Sequence, residues 1–375
     1  MSVRLSGAIK RFGGVPVVNG IDAEIETGEF FVVLGPSGCG KSTLLRMISG
    51  LEPLDQGEIA LSGETVSGPD RHVPPEARKV GVVFQSYALW PHMTVRDNVA
   101  FPAESAGLGR AEARARAEAH LDTVAMAPLA RRQPADLSGG QRQRVALARC
   151  LAGDARTILM DEPLANLDPH LRGRMEEELA TFQARSGVTM IYITHDQREA
   201  MALADRIAVM WEGRFLQVGP PQEIHDRPAC AEVARFIGRA AVLDARCGNG
   251  EADLGPVRVP LTAPADGACQ VVIRPGDVVL GQGGVSATLR SALYRGGAWE
   301  GLAEVDGLAE PLPVSSDRPL KAGERVALSI RSVWALPGKY QSGPESMEGA
   351  DLRSTKRAAQ APDRELTLAT LDQRA

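Results

Sequence analysis

Residues 35–43, GPSGCGKST, follow the spacing G-x-x-x-x-G-K-[ST] of a phosphate-binding loop between a strand and a helix. The glycines allow backbone N–H groups to curl around an anion. Lys41 supplies positive charge to the β and γ phosphates of a nucleotide, and Ser42 offers its hydroxyl to Mg²⁺. The helix expected from Lys41 adds the positive end of its dipole. The residues predicted to hold the nucleotide are Gly35, Pro36, Ser37, Gly38, Cys39, Gly40, Lys41, Ser42 and Thr43.

A buried strand that ends in two carboxylates, residues 157–163 (TILMDEP), is the natural companion of such a loop. Asp161 is expected to face the metal, directly or through water. Strand alternation places Glu162 on the opposite face, where it can reach a water in line with the γ-phosphate and act as general base. Two adjacent acidic residues after a strand are otherwise typical of a solvated turn, and the phosphate loop favours the catalytic interpretation.

Two further polar residues end strands of the same expected sheet. Gln85 ends the stretch KVGVVFQ and can reach Mg²⁺ and the attacking water, and His195 ends MIYITH and can reach the γ-phosphate. A structural hydrogen bond is the alternative role for each of them. The sequence therefore predicts a metal site from Ser42, Gln85 and Asp161. The predicted catalytic residues are Lys41, Gln85, Glu162 and His195.

A second glycine pair lies in LSGGQ, residues 137–141. Ser138 is a good helix N-cap, and Gln141 three residues later completes the spacing of a capping box. Gly139 and Gly140 leave the backbone open at this helix start, which makes it an anion site. It has no lysine and no preceding strand, so it cannot hold a nucleotide alone. An ordinary capped helix is the alternative.

The pattern of elements indicates an α/β fold. Strand-like runs alternate with helices predicted over 41–50, 108–130, from Ser138 onward, 169–186 and 196–204, which predicts a mainly parallel sheet with both faces covered. From about 240 to 336, short strands are punctuated by Gly and Pro, which predicts a small β-barrel or sandwich. Residues 337–375 are polar and are expected to be a partly disordered tail.

Composition limits the classes of protein. A length of 375 residues suits two domains, and a net charge of −5 disfavours a nucleic-acid binder. The five cysteines are odd in number and lack metal-ligand spacing, so a reduced, cytosolic compartment is expected. The first residues lack a signal-peptide core, and every apolar run is shorter than a membrane span. We expect a soluble protein that can still dock on a membrane protein.

The ordered set GPSGCGKST, FQSYALWPHMTV, LSGGQRQRVALARCLAGDARTILMDEPLANLD and ITHDQREAMALADRIAVM resembles the ATP-binding subunit of an ABC transporter. The resemblance covers about residues 3–236, with a helical subdomain at about 88–155. Residues 240–336 resemble, more weakly, the accessory (TOBE-like, OB-type) all-β domain of bacterial import ATPases, through IRPGDV and YRGG. The implied fold is a P-loop NTPase of the ABC ATPase type, followed by a small all-β domain.

The resemblance also implies roles for residues. The LSGGQ motif, through Ser138, Gly139, Gly140 and Gln141, would cap the γ-phosphate of ATP held by a second chain, in a head-to-tail homodimer with two ATP molecules. Phe12 falls where an aromatic stacks on adenine, with core packing as the alternative. Asp168 falls in a loop that crosses the dimer interface, where Ala165 departs from the common serine.

Residues 86–99 fall in the surface that receives short helices of the membrane subunits. The aromatics Tyr87 and Trp90 are expected to be exposed there, although Trp90 can also be core.

The function implied is that of a motor subunit that hydrolyses MgATP at the cytoplasmic face of the inner membrane. It would act beneath two transmembrane permease subunits, with a separate solute-binding protein, to import ferric iron, a polyamine or a similar small solute, with sugar also possible. One alternative is an ATP-driven clamp in DNA repair or translation, which usually needs a coiled-coil insertion or a second ATPase head. A non-catalytic regulatory protein is the other, and the complete motif set disfavours it.

Overall fold

The computed structural model describes residues 1–165 and 169–337; Asp168 and the predicted tail beyond residue 337 lie outside this range. The helices are α1 (Lys41–Ser49), α2 (Val95–Ser105), α3 (Arg110–Thr123), α4 (Gly139–Ala152), α5 (Pro169–Ser186), α6 (Gln197–Leu203), α7 (Pro221–Asp226) and α8 (Ala231–Phe236). The strands are β1 (Val3–Phe12), β2 (Val15–Ile25), β3 (Phe30–Leu34), β4 (Gln56–Leu61), β5 (Glu64–Gly68), β6 (Arg71–His72), β7 (Val80–Val83), β8 (Thr157–Asp161), β9 (Thr189–Thr194), β10 (Arg206–Trp211), β11 (Arg214–Gly219), β12 (Ala241–Gly248), β13 (Glu251–Asp253), β14 (Arg258–Pro260), β15 (Gly267–Ile273), β16 (Val278–Tyr294), β17 (Trp299–Val305), β18 (Leu312–Ser316), β19 (Arg325–Ile330) and β20 (Trp334–Ala335).

A six-stranded sheet of order β11-β10-β3-β9-β8-β7 carries the nucleotide-binding motifs. Its strands run parallel except β11, which pairs antiparallel with β10 at one edge. Every residue of β3 and β9 is buried, as expected for strands covered on both faces. The predicted parallel sheet is confirmed. In its register Leu34 lies opposite Thr194, and Asp161 lies opposite Ile193, so the carboxyl ends of these strands share one edge.

One face of this sheet packs on α1 and on a second, antiparallel sheet of order β2-β1-β4-β5-β6. The sequence analysis did not predict this antiparallel sheet. Its hydrophobic alternation is broken by register shifts along β1 and β2, for example between Leu5 and Ala8. Such bulges move apolar residues out of the period of two by which strands are recognised.

The other face packs on the helices α2, α3, α4 and α5. The stretch 108–130 was predicted as one helix, but α3 ends at Thr123 and a separate 3₁₀ turn follows over Ala127–Leu129. Ala125 has a φ of 55°, which a continuing helix does not allow. Helix α2 had no counterpart in the sequence analysis, and it begins at Thr94, whose hydroxyl accepts a hydrogen bond from the Asp97 N–H.

The strands after residue 240 form two sheets around a core of their own, as the predicted β-rich segment requires. The orders are β14-β13-β12-β15-β20 and β18-β17-β16-β19. Antiparallel pairing of β12 with β15 brings together Cys247 and Cys269, which the structure joins as a disulfide. This pair departs from the expectation of reduced cysteines, because a separation of 22 residues gave no signal of pairing. Cys39, Cys150 and Cys230 are free and buried.

Arg78 ties the phosphate-loop helix to the antiparallel sheet. Its guanidinium donates to the carbonyls of Met47 and Ile48 at the end of α1, at 2.9 and 3.0 Å. It also donates to the Val73 carbonyl at 2.7 Å and to the Ser67 hydroxyl at 2.7 Å. Burial lowers the pKa of Arg78 to about 10, so it remains charged at neutral pH. Arg78 thereby satisfies the Ile48 carbonyl and adds a second donor to the Met47 carbonyl, which also accepts from the Gly50 N–H at 3.2 Å.

We expect Arg78→Met to lower the unfolding free energy by about 3 kcal/mol, because several buried carbonyls lose their donor at once. The measurement is the midpoint of urea unfolding, followed by circular dichroism. Arg71→Met, in which an exposed arginine of β6 is replaced, is the matched control and should leave the midpoint unchanged. Equal midpoints for the two variants would show that the Arg78 bonds contribute nothing net.

Candidate functional site

The predicted phosphate loop lies between β3 and α1, at the carboxyl edge of the central sheet. Gly38 and Gly40 have φ values of 80° and 108°, which favour glycine. A Cβ on Gly40 would lie 2.3 Å from the Val17 carbonyl oxygen, so the loop also approaches β2 too closely for a side chain. Burial raises the pKa of the Cys39 thiol, so this loop residue packs as a small apolar group.

Lys41 is only 5% exposed. Its ammonium donates to the carbonyls of Gly35 and Pro36, at 2.8 and 2.9 Å. A buried ammonium needs such partners because desolvation penalises an isolated charge. The loop therefore holds a positive charge at its centre, as a phosphate site requires.

Two oxygen donors from distant parts of the chain meet beside the loop. The Ser42 hydroxyl donates to Oδ1 of Asp161 at 3.0 Å. Burial raises the pKa of Asp161 and the charge of Glu162 adds to this, whereas the Ser42 bond opposes it. A hydroxyl and a carboxylate side by side are hard oxygen ligands of the kind Mg²⁺ prefers, usually with several waters and phosphate oxygens completing its shell. The residues present fit a magnesium ion carried in with the nucleotide.

Glu162 and His195 form a pair at the same edge, with 3.1 Å between Oε1 of the glutamate and Nδ1 of the histidine. The expectation that strand alternation directs Glu162 is wrong, because β8 ends at Asp161 and Glu162 has a φ of 45°. The Glu162 N–H instead donates to the Ile193 carbonyl of β9 at 3.0 Å. This bond to the neighbouring strand orients Glu162 toward His195.

Gln85 lies two residues beyond the end of β7 and is exposed. Tyr87 was expected to be exposed, but it is 5% exposed, and its hydroxyl donates to the Pro163 carbonyl at 3.3 Å. Trp90 is half-buried and packs on Phe101, with 4.5 Å between ring centroids. Phe84 and Phe101, on either side of this segment in the chain, are exposed instead.

Arg149, on α4, was missed by the sequence analysis. It donates to the carbonyls of Ala88 and Tyr87, at 2.6 and 3.0 Å. Both of these residues have positive φ, a strained conformation that needs external support. Arg149 therefore fixes the loop after Gln85 to the helix that begins at the LSGGQ motif. The left-handed conformation of two adjacent residues that are not glycine has no sequence signature, so the need for Arg149 could not be predicted.

The capping box predicted in the LSGGQ motif is present. The Ser138 hydroxyl accepts from the Gln141 N–H at 3.3 Å, and the Gln141 side chain accepts from the Ser138 N–H at 2.9 Å. A Cβ on Gly140 would lie 2.8 Å from the Met175 sulfur, so this glycine also allows close packing of α4 on α5. Within the described residues, hydrogen bonds of the Ser138 and Gln141 side chains go only to each other's backbone, not to the phosphate loop.

Phe12, at the end of β1, is 48% exposed. Its ring is therefore available to stack on a base, and core packing, the alternative for this residue, is excluded. The Lys10 ammonium lies 5.3 Å from the ring centroid.

A cavity of about 650 Å³ lies between the end of α7 and the β-rich region. It contains none of the predicted site residues. Its charged groups have partners within the protein: Arg274 donates to the carbonyls of Ile237 and His225, and Arg239 pairs with Glu300.

Comparison with known proteins agrees with this geometry. The sequence profile of the ABC transporter family matches residues 18–165. The chain is 44% identical over 304 residues to the spermidine/putrescine import ATP-binding protein PotA of Pseudomonas aeruginosa, covering 78% of this chain and 82% of that protein. It is 42% identical to the Fe(3+) ions import ATP-binding protein FbpC of Agrobacterium fabrum, covering 76% of this chain and 82% of that protein. It is 48% identical to the trehalose/maltose import ATP-binding protein MalK of Thermococcus litoralis, covering 69% and 71%.

The chain belongs to the ABC transporter family. It is an ATP-binding subunit of an importer and an ATP hydrolase.

Among solved structures, it resembles the dimeric ATP-binding cassette MJ0796 bound to ADP and Pi, with a TM-score of 0.51 and 30% identity over 58% of this chain and 98% of that one. It also resembles cbiO1 of Clostridium perfringens, with a TM-score of 0.55 and 30% identity over 62% of this chain and 92% of that one. None of the helices in the described part of the chain is long and apolar enough to cross a bilayer.

We expect Gly40→Ala to weaken ATP binding about tenfold or more, because the added Cβ collides with the Val17 carbonyl and the positive φ is strained. Fluorescence titration with a labelled ATP analogue measures the Kd. Gly63→Ala is the matched control, since its φ is 85° but its Cβ would meet open space. An unchanged Kd for Gly40→Ala, with the control also unchanged, would contradict this account of the loop.

Proposed function

We propose that this chain binds MgATP at the carboxyl edge of the central sheet and hydrolyses it with Glu162 as general base. The observation that carries the proposal is the convergence of the carboxyl ends of β3, β8 and β9. There the Ser42–Asp161 bond of 3.0 Å and the Glu162–His195 contact of 3.1 Å lie beside the buried charge of Lys41. A domain at 1–236 would contain this site, with the β-rich domain at 240–336.

Each residue has a defined task in this proposal. Lys41 neutralises the β and γ phosphates, while Phe12 stacks on the adenine and the backbone of residues 35–43 surrounds the phosphates. Ser42, Asp161 and Gln85 hold Mg²⁺, which would draw charge from the phosphate oxygens. Glu162 takes the proton of the attacking water, and His195 donates to a γ-phosphate oxygen.

The LSGGQ motif supplies the second half of the site in this proposal. The helix start at Ser138 is an anion site without a cation of its own, so its phosphate must be held by another surface. We propose a head-to-tail homodimer in which Ser138, Gly139, Gly140 and Gln141 of one chain cap the ATP in the loop of the other. The related cassette MJ0796 was solved as a dimer bound to ADP and Pi. Asp168 is proposed to lie at the same interface.

The partners proposed are two transmembrane permease subunits and, through them, a solute-binding protein, with this chain at the cytoplasmic face of the inner membrane. Phe101, exposed and packed on Trp90, supplies an apolar surface for the permease subunits, and Phe84 is a further exposed aromatic before this segment. The proposed solute is a polyamine or ferric iron, as in the names of the relatives PotA and FbpC, with a sugar as second candidate, as for MalK.

We expect Glu162→Gln to reduce ATP turnover by about 10²-fold or more, because the amide cannot accept the proton of the water. ATP binding should persist, since the glutamine keeps the size of the side chain. Steady-state phosphate release and analogue titration measure the two quantities. Glu177→Gln, at an exposed glutamate of α5, is the control and should keep full turnover. Normal turnover in Glu162→Gln would remove Glu162 as the base.

The same variant tests assembly. With MgATP, Glu162→Gln should elute as a dimer in size-exclusion chromatography, and adding Ser138→Arg should return it to the monomer, because the arginine blocks the capping helix start.

The same variant also tests the transport partners. Glu162→Gln trapped with MgATP and recovered from detergent-solubilised membranes should bring with it two multi-span proteins and a secreted binding protein. The ligand of that binding protein would identify the solute. Recovery of ribosomal or DNA-repair proteins instead would contradict the transport role.

A further inference from the structure

A buried carboxylate lies beneath the loop that carries His195. Glu199, on α6, is 3% exposed. Its Oε2 accepts hydrogen bonds from the hydroxyls of Tyr192, at 2.8 Å, and Thr194, at 2.7 Å. Burial and the neighbouring Glu199 raise the pKa of Tyr192 well above its ordinary value, so its hydroxyl remains a donor. Oε1, the other oxygen of Glu199, faces a cation from a different helix.

That cation is Arg172, in the first turn of α5. Its Nη1 donates to Oδ2 of Asp196 at 2.9 Å, and its Nε lies 3.7 Å from Oε1 of Glu199. Within the described residues, Nε of Arg172 is buried and makes no hydrogen bond. Its interaction with Oε1 of Glu199 across 3.7 Å is therefore an ion pair without a hydrogen bond. Arg172 is therefore the charge that balances two carboxylates of the loop and helix after β9.

The two residues that flank His195 are both held by this network. Thr194 is fixed by Glu199, and the Asp196 N–H donates back to the Thr194 hydroxyl at 3.0 Å. Oδ1 of Asp196 caps α6 by accepting from the Arg198 N–H at 2.8 Å. The side chain of His195, by contrast, is half-exposed and contacts Glu162. The backbone of His195 is therefore anchored while its ring stays free to act.

The network adjoins the catalytic pair. A small cavity of about 50 Å³ is lined by Glu162, His195 and Arg172, together with Thr194, Asp196 and Glu199. Arg172 and the Glu162–His195 pair thus line one small space.

We propose that Arg172 is a positioning residue for His195: by holding Asp196 and Glu199, it fixes the loop that presents the imidazole to the γ-phosphate and to Glu162. This inference rests on the proposed role of His195 in hydrolysis. The ion pairs of Arg172 are partly buried, and such pairs contribute little net stability, so the geometry that they fix is their main effect. Arg172 also links α5 to this loop, so that a shift of the helix moves the imidazole.

The test is a double-mutant cycle between Arg172→Met and His195→Ala. Methionine keeps the unbranched apolar stem of the side chain and removes the guanidinium with its charge. We expect Arg172→Met to lower kcat about tenfold or more, because a small misplacement of a catalytic group is costly, while KM for ATP changes less than about threefold. In the His195→Ala background, Arg172→Met should cause no further loss. Arg198→Met, at an exposed arginine of α6, is the control and should keep wild-type kcat.

Two outcomes would overturn the proposal: an unchanged kcat in Arg172→Met, or an equal loss of kcat in both backgrounds, which would make Arg172 independent of His195. If Arg172→Met does not fold, Arg172→Met/Glu199→Gln removes both buried charges, and its kcat should still fall because Asp196 has lost its partner. Wild-type kcat in that folded double variant also overturns the proposal. Wild-type turnover in His195→Ala alone contradicts the proposed function instead, and the positioning role falls with it.

Discussion

The register of the central parallel sheet is the constraint on which the site depends. Parallel strands end at the same edge, and here Leu34 lies opposite Thr194 while Asp161 lies opposite Ile193. Residues that are 119 positions apart in the chain, Ser42 and Asp161, are thereby brought to 3.0 Å. The bond from the Glu162 N–H to the Ile193 carbonyl extends this pairing one residue beyond β8. A slip of one residue would separate Asp161 from Ser42 of the phosphate loop.

Arginines and a lysine hold the segments around that edge by binding backbone carbonyls or carboxylates. Lys41 binds carbonyls of its own loop, Arg149 binds those of the loop after Gln85, and Arg172 binds the carboxylates beside His195. Each charge loses water on folding and needs oxygen partners, which makes these contacts specific in geometry. Because Arg149 lies on α4 and Arg172 on α5, two of the helices that pack against the sheet are connected to the loops of the proposed site.

In the proposed dimer, the start of α4 would lie at the nucleotide of the partner chain, while Arg149 in its interior contacts the loop after Gln85 of its own chain. Its capped start binds through backbone N–H groups and dipole, which attract an anion but supply no full charge. Arg149 on the same helix holds the loop that contains Gln85. A single rigid helix therefore connects the capped start with the loop that carries Gln85, which suits the proposed dimer that closes on ATP.

The sequence by itself determined the phosphate loop, the two carboxylates at the end of β8, the capping box and the central α/β sheet, because each depends on local spacing or on buried apolar runs. It did not predict the antiparallel sheet of β1 and β2, whose bulges break the period of two, nor the burial of Tyr87. Only the tertiary structure decided the direction of Glu162, through its bond to β9, and the roles of Arg149 and Arg172. Their partners lie on other elements, and a long-range contact of an arginine leaves no local pattern in the chain.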